Sequence, residues 1–91
     1  MIIQTVSELR AAMRQGPYAW PGGYPLFFVT EDGDALSYQA VRAERRLVLE
    51  AVAGRDNSGG WRVIGVEVNW EDTTLICAHT GKAIQSAYGE N

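Results

Sequence analysis

The stretch from Trp61 to Trp70 constrains this chain most. Ile64, Val66, Val68 and Trp70 fall on one side of an extended backbone, and Val63, Gly65, Glu67 and Asn69 on the other. A period of two over this length, rich in branched residues, is the pattern of an amphipathic strand. Such a strand needs neighbours to pair with and a layer to cover its apolar side. Its length and branched content place it at the centre of a sheet. Val63 beside Gly65 predicts that the second side is partly covered as well.

The rest of the chain supplies those neighbours and that layer. Thr5 followed by Glu8 is a capping box, and Val6, Leu9 and Met13 then recur at helical spacing, which predicts a helix over about residues 6–14. Gly16 and Pro17 end it. Leu26 to Thr30 is a β-prone run, Asp32-Gly33 within Glu31–Asp34 is the strongest hairpin signal, and a short strand follows over Ala35–Tyr38. A second helix is predicted from about Gln39 to Ala53. Ala40, Val41, Leu47, Val48, Ala51, Val52 and the stem of Glu44 face inward, and Arg42, Arg45, Arg46 and Glu50 face outward. Gly54 to Gly60 is a polar loop. After a turn at Glu71–Thr74, strands are expected at Leu75–Cys77 and Ala83–Tyr88, with residues 89–91 fraying. The order is α-β-β-α-β-β-β. It describes an α+β domain, mainly an antiparallel sheet with helices packed on one face. At 91 residues, 46% of them hydrophobic, the chain has core material for a single domain over 1–91 and no more.

Residues Gly16 to Pro25 read GPYAWPGGYP, holding all three prolines of the chain and three of its glycines. That composition argues against a regular element here. Yet Tyr18, Trp20 and Tyr24 lie within it, and a loop with so much ring surface either packs on its own domain or binds a partner.

Charge and cysteine content narrow the function classes. Eight basic against eleven acidic residues leave a net charge of -3, which removes long-range attraction to a polyanion. One cysteine cannot form an internal disulfide. MIIQTVSELR has no basic n-region leading into an apolar run, and no apolar stretch approaches spanning length, so a cytoplasmic protein without membrane contact is expected.

Four segments carry a resemblance: GPYAWPGGYPLFFVT at Gly16–Thr30, WRVIG at Trp61–Gly65, NWED at Asn69–Asp72 and CAHTGKAIQSAYG at Cys77–Gly89. Together they cover most of the chain. The pattern resembles a group of small bacterial and bacteriophage or mobile-element proteins that brings no established chemistry with it. The resemblance implies an origin in phage or mobile DNA. Proteins of that size and origin often bind and disable a host protein, as anti-CRISPR and anti-restriction proteins do.

The residues that could carry chemistry are few. Cys77-Ala78-His79-Thr80-Gly81-Lys82 resembles half of a zinc knuckle, but the chain holds one Cys and one His where a structural zinc site wants four ligands. A metal-binding turn that has lost its ligands is the third functional reading. As a nucleophile and base, Cys77 and His79 would also need an orienting group such as Glu71 or Asp72, and an acidic domain does little to lower a thiol pKa. A small buried hydrophobe for Cys77 and a turn residue for His79 account for both. Glu67, Glu71 and Asp72 read as solvated carboxylates at a strand end. Gly54–Gly60 lacks the lysine and spacing of a phosphate loop. No cofactor and no enzymatic activity are expected. Arg42, Arg45 and Arg46 form the one basic cluster, a candidate nucleic-acid contact in the second reading and otherwise a solvated helix face.

The surplus of large rings decides the first reading. Tyr18, Trp20, Tyr24, Trp61, Trp70 and Tyr88 exceed what a core of this size hides comfortably, and Tyr and Trp dominate binding hot spots. The expectation is a protein-interaction module that binds and modulates a bacterial host protein, or pairs as a homodimer. Its contacts would come from Tyr18, Trp20 and Tyr24, joined by some of Glu31, Asp32 and Asp34.

Overall fold

The computed structural model describes residues 1–88; the expected fraying at 89–91 lies outside them. Its elements run α1 (Val6–Gln15), β1 (Tyr18–Ala19), β2 (Tyr24–Thr30), β3 (Ala35–Ser37), α2 (Tyr38–Ala43), α3 (Arg45–Gly54) and β4 (Val63–Val68). This is an α+β domain with a four-stranded antiparallel sheet and helices packed against it. β2 is the centre. β4 pairs along one side of it, and β1 and β3 lie end to end along the other.

The helices form as their sequences dictate. The Thr5 hydroxyl accepts from the Glu8 N–H, and the Glu8 carboxylate accepts from the Thr5 N–H at 3.0 Å. These backbone bonds, the one from Gln4 first, hold the Glu8 carboxyl below its ordinary pKa. Leu9 and Ala12 are buried and Val6 and Met13 half-buried on the inner face of α1. Val41, Val48 and Val52 bring α2 and α3 onto the same core, against Phe28 and Leu36. A fully buried side chain of this kind contributes about 1.5–3 kcal/mol relative to exposure.

Besides the central position expected of the strand at 63–68, which β2 holds instead, four expectations need correction. The Gly16–Pro25 segment does contain regular structure: Tyr18 and Ala19 pair with Pro25 and Tyr24 across a tight turn. Pro25 is tolerated because only its carbonyl is needed, accepting from the Asn69 N–H at 3.0 Å. Gly22, at φ +111, lies under the Tyr24 ring, where a Cβ would come within 2.5 Å of it. Second, the strand at 63–68 does not alternate throughout. Val29 pairs with Gly65 but Thr30 pairs with Val63, so Ile64 is an extra residue in a bulge. Val63 and Val66 therefore both point into the core, while Ile64 is exposed. Third, the single helix expected over 39–53 bends at Glu44 (φ -108, ψ 29), leaving Leu47 exposed. The Glu44 N–H and C=O still make their helical bonds, to Ala40 and from Val48. Fourth, the two C-terminal strands reduce to one bridge between Ile76 and Ala83 around the turn that follows Cys77.

That C-terminal segment packs into the same core: Cys77 and Ile84 belong to one buried cluster with Phe28, Leu36 and the inner faces of the helices. Ala78 bonds to Ala35 at the free edge of β3. Beyond β4, the buried Asn69 amide donates to the carbonyls of Asp72, Ile84 and Gln85 at 3.0–3.3 Å. At the other edge, the Ile3 N–H donates to the Ile64 carbonyl, and the Val66 N–H donates to that of Met1. Gly65 permits this close approach, since a Cβ there would sit 3.1 Å from the Met1 carbonyl oxygen. No helix of the described residues is long and apolar enough to cross a membrane.

Candidate functional site

The ring surplus resolves into two groups at opposite ends of β4. Trp61 precedes the strand and is half-buried. It meets the His79 ring edge-on at 4.9 Å, and His79 Nε2 lies 3.6 Å from the Glu44 carboxylate at the α2–α3 bend. Trp70 follows the strand and lies 48% exposed. Its ring is 4.7 Å from that of Tyr24, and Tyr88 stacks beside it at 6.0 Å and 14°. The Tyr88 hydroxyl donates to that of Tyr24 at 3.4 Å, which raises the Tyr88 pKa. Tyr24 also opens β2 directly after the turn that carries Trp20, which is 85% exposed. Tyr18 is exposed on β1, its hydroxyl donating to Gln85 at 2.9 Å.

The sequence therefore locates part of the surface. Tyr18, Trp20 and Tyr24 lie at one end of β2. Trp70 and Tyr88, more than forty positions away from them, join Tyr24 there. The rings were countable in the sequence, but their convergence depends on strand register, which it does not disclose. Glu31, Asp32 and Asp34 are exposed in the β2–β3 turn. A seven-residue strand separates that turn from Tyr24, roughly 20 Å at the usual rise. The structure does not bring these acids beside the aromatic loop. The acids at the aromatic end are Glu67 and Glu71, exposed on either side of Trp70 in sequence, and Asp72. The Asp72 carboxylate is engaged by the Thr74 hydroxyl and N–H, which lower its pKa.

Trp70 also walls an open groove of about 400 Å³ whose floor is Leu26, Val66 and Val68. Gln15, the last residue of α1, and Met1 and Glu67 complete its lining. The groove exists because α1 ends before it covers this corner of the sheet.

Cys77 and His79 do not face each other as a pair. The Cys77 side chain is buried, and its Sγ accepts from the Ser37 N–H at 3.3 Å. Burial pushes this thiol up, but the Ser37 N–H together with the Thr80 hydroxyl and N–H and the Ser37 hydroxyl outweigh it, bringing the pKa to about 6. An acidic domain does little to lower a thiol through charge, but here the N–H and hydroxyl donors of Ser37 and Thr80 lower it instead. His79 turns outward to Trp61 and Glu44. Among the described residues no three His, Cys, Asp or Glu side chains gather as metal ligands. Arg42, Arg45 and Arg46 are exposed, but the bend at Glu44 splits the row. The Arg45 guanidinium caps the Arg42 carbonyl at 3.4 Å, and Arg46 pairs with Glu50 at 3.4 Å.

Comparison with known proteins gives no family to which the chain can be assigned: no family model, no curated protein and no solved structure matches it.

Proposed function

We propose that this protein is a small interaction module that binds and modulates another protein, through the surface formed by Trp20, Tyr24, Trp70 and Tyr88 with Tyr18 at its margin. The observation that carries the reading is the exposure of these rings: Trp20, Trp70 and Tyr88 lie at one end of the sheet, Trp20 and Tyr88 mostly in solvent and Trp70 about half so. Leaving tryptophan in water forgoes roughly 25 cal/mol for each Å² of apolar surface that could be buried, and a partner would recover it. Tyr and Trp supply large contact area at low entropic cost, the profile of interface anchors.

The resemblance to bacterial and mobile-element proteins makes a bacterial host protein the favoured partner, with defence evasion the corresponding role. The test is affinity capture from bacterial lysate on the intact chain, run beside Trp20→Ala and Trp70→Ala. A protein retained by the wild type and lost from both variants supports the reading. An identical set of retained proteins on all three overturns it.

A further inference from the structure

Two irregularities of the backbone meet at a groove that shares no lining residue with the one beside Trp70. The first is the bulge in β4. It turns Ile64 out of the core, close to Ile2 of the N-terminal segment, and both stand exposed over a floor of Ile3, Val52 and Val63. The second is Arg55, which among the described residues is the one non-glycine residue on left-handed backbone. Glycine is the usual occupant of that position after a helix, so an arginine there goes against the backbone's preference, as residues at binding sites often do.

Arg55 lines the groove together with Arg62, and no acidic residue lines it. Neither arginine forms an ion pair among the described residues. Arg62 is steadied by the neutral Asn57 side-chain oxygen at 2.9 Å. The neighbouring acids are engaged by donors of their own. Glu8 accepts from the N–H groups of Gln4 and Thr5, and Asp56 from the N–H and hydroxyl of Ser58. Glu31 is exposed outside the lining and meets Arg62 through a backbone bond. The groove holds about 400 Å³, within the range of small-ligand sites. Its eight lining residues fall well short of the roughly 20–30 that a protein interface uses on each side.

We infer that this groove binds a small organic acid with an apolar body, of the medium-chain fatty acid kind, its chain lying on Ile2, Val63 and Ile64 and its carboxylate held by Arg55 and Arg62. An apolar lining with a few convergent polar groups is the make-up of a ligand pocket. Burial of the chain carbons supplies affinity, and the two guanidinium groups, each able to fork onto a carboxylate, select the sign of the charge. The site stands apart from the aromatic surface and does not depend on the protein-binding reading.

Octanoate titrated into the intact, isotope-labelled protein tests this by amide NMR. Octylammonium, with the same chain and the opposite charge, and a peptide of glutamate and leucine are run beside it. Octanoate should give saturable shifts at the amides of Ile2, Val52 and Ile64, and octylammonium should bind there at least about threefold more weakly. Arg55→Gly and Arg62→Gln should each weaken octanoate about threefold to fivefold. Arg55→Gly relieves the left-handed backbone, so weaker binding by that variant is not a loss of folding. Equal binding of the two charges, shifts that centre on Trp70, an affinity that neither arginine substitution changes, or no saturable shift overturns the inference. A peptide that moves these amides where octanoate does not would make the occupant a protein segment and would also overturn it. Shifts at these amides on dilution of the free protein would make the occupant a second copy of the chain, with the same consequence.

Discussion

Trp61 and Trp70 bracket the same strand, yet the fold treats them differently. Trp61 is held by a polar clasp, its ring against His79 and His79 against Glu44 at the helix bend. Trp70 rests on Tyr24 and Tyr88, which are themselves partly in solvent. The two residues are chemically identical, so the contrast comes from what stands opposite. At one end the α2–α3 bend and the C-terminal turn converge. At the other α1 stops at Gln15 and leaves the sheet corner open. Ring surface that closes a core and ring surface left in solvent are thus separated along one strand of six residues.

The largest expected effect concerns what holds the Trp70 end in shape. Asn69→Ala removes a buried amide that serves three carbonyls, leaving the Ile84 and Gln85 carbonyls without that donor. The expected cost is about 3 kcal/mol by chemical denaturation. A loss below about 1 kcal/mol would mean that the C-terminal segment stays docked by other means.

Next comes the contrast itself. Trp61→Ala should cost about 2 kcal/mol, because a half-buried ring leaves a space next to the core. Trp70→Ala should cost under about 1 kcal/mol, because nearly half its surface is already in water. Equal costs at the two ends would break the comparison.

The Cys77 thiol gives a pH signature at the Trp61 end. Its folded pKa of about 6 lies below the ordinary thiol value, about 8.5 in an unfolded chain. The thiolate therefore adds stability that is fully present above about pH 8.5 and is lost as pH falls through about 6. The unfolding free energy of wild type minus that of Cys77→Ala should shrink across this window on acidification. Ultraviolet thiolate absorbance should fall with a midpoint near 6. A difference that stays flat from alkaline to acidic pH would show that the sulfur is not charged in the folded chain.

The smallest effect lies outside both ends and calibrates the rest. Arg55 caps α3 with left-handed backbone (φ 51) and is exposed. Arg55→Gly should raise stability by about 0.5–1 kcal/mol, since glycine pays no steric penalty there. A destabilised variant would mean that the Arg55 side chain packs on the groove it lines with Arg62 and Ile64.

Much of the fold could be read locally. The Thr5–Glu8 box, the Asp32-Gly33 turn, the apolar face of α1 and, apart from Leu47, that of α3 are short-range patterns, and each appears where its residues placed it. What escaped depends on pairing at a distance. The bulge at Ile64 arises from β4 meeting β2; Gly65 in VIGVEV is its local mark, since an isolated glycine in a strand signals a bulge or a close backbone approach, but which residue bulges is set by the pairing. The bend at Glu44 falls in a run with neither glycine nor proline, next to a carboxylate drawn toward His79, thirty-five positions on. The candidate surface divides in the same way. Its local half, Tyr18 to Tyr24, was apparent from composition. Its other half, Trp70, Tyr88 and the acids Glu67 and Glu71, is assembled by register, whereas Glu31, Asp32 and Asp34 are adjacent in sequence and distant in space.

The most direct test of the central claim is the dissociation constant of a captured partner for the wild type and for Trp70→Ala, measured with the unfolding free energy of each. The account expects affinity to fall at least about tenfold while stability changes by less than about 1 kcal/mol. Unchanged affinity, or an affinity loss accompanied by an equal loss of stability, would contradict it.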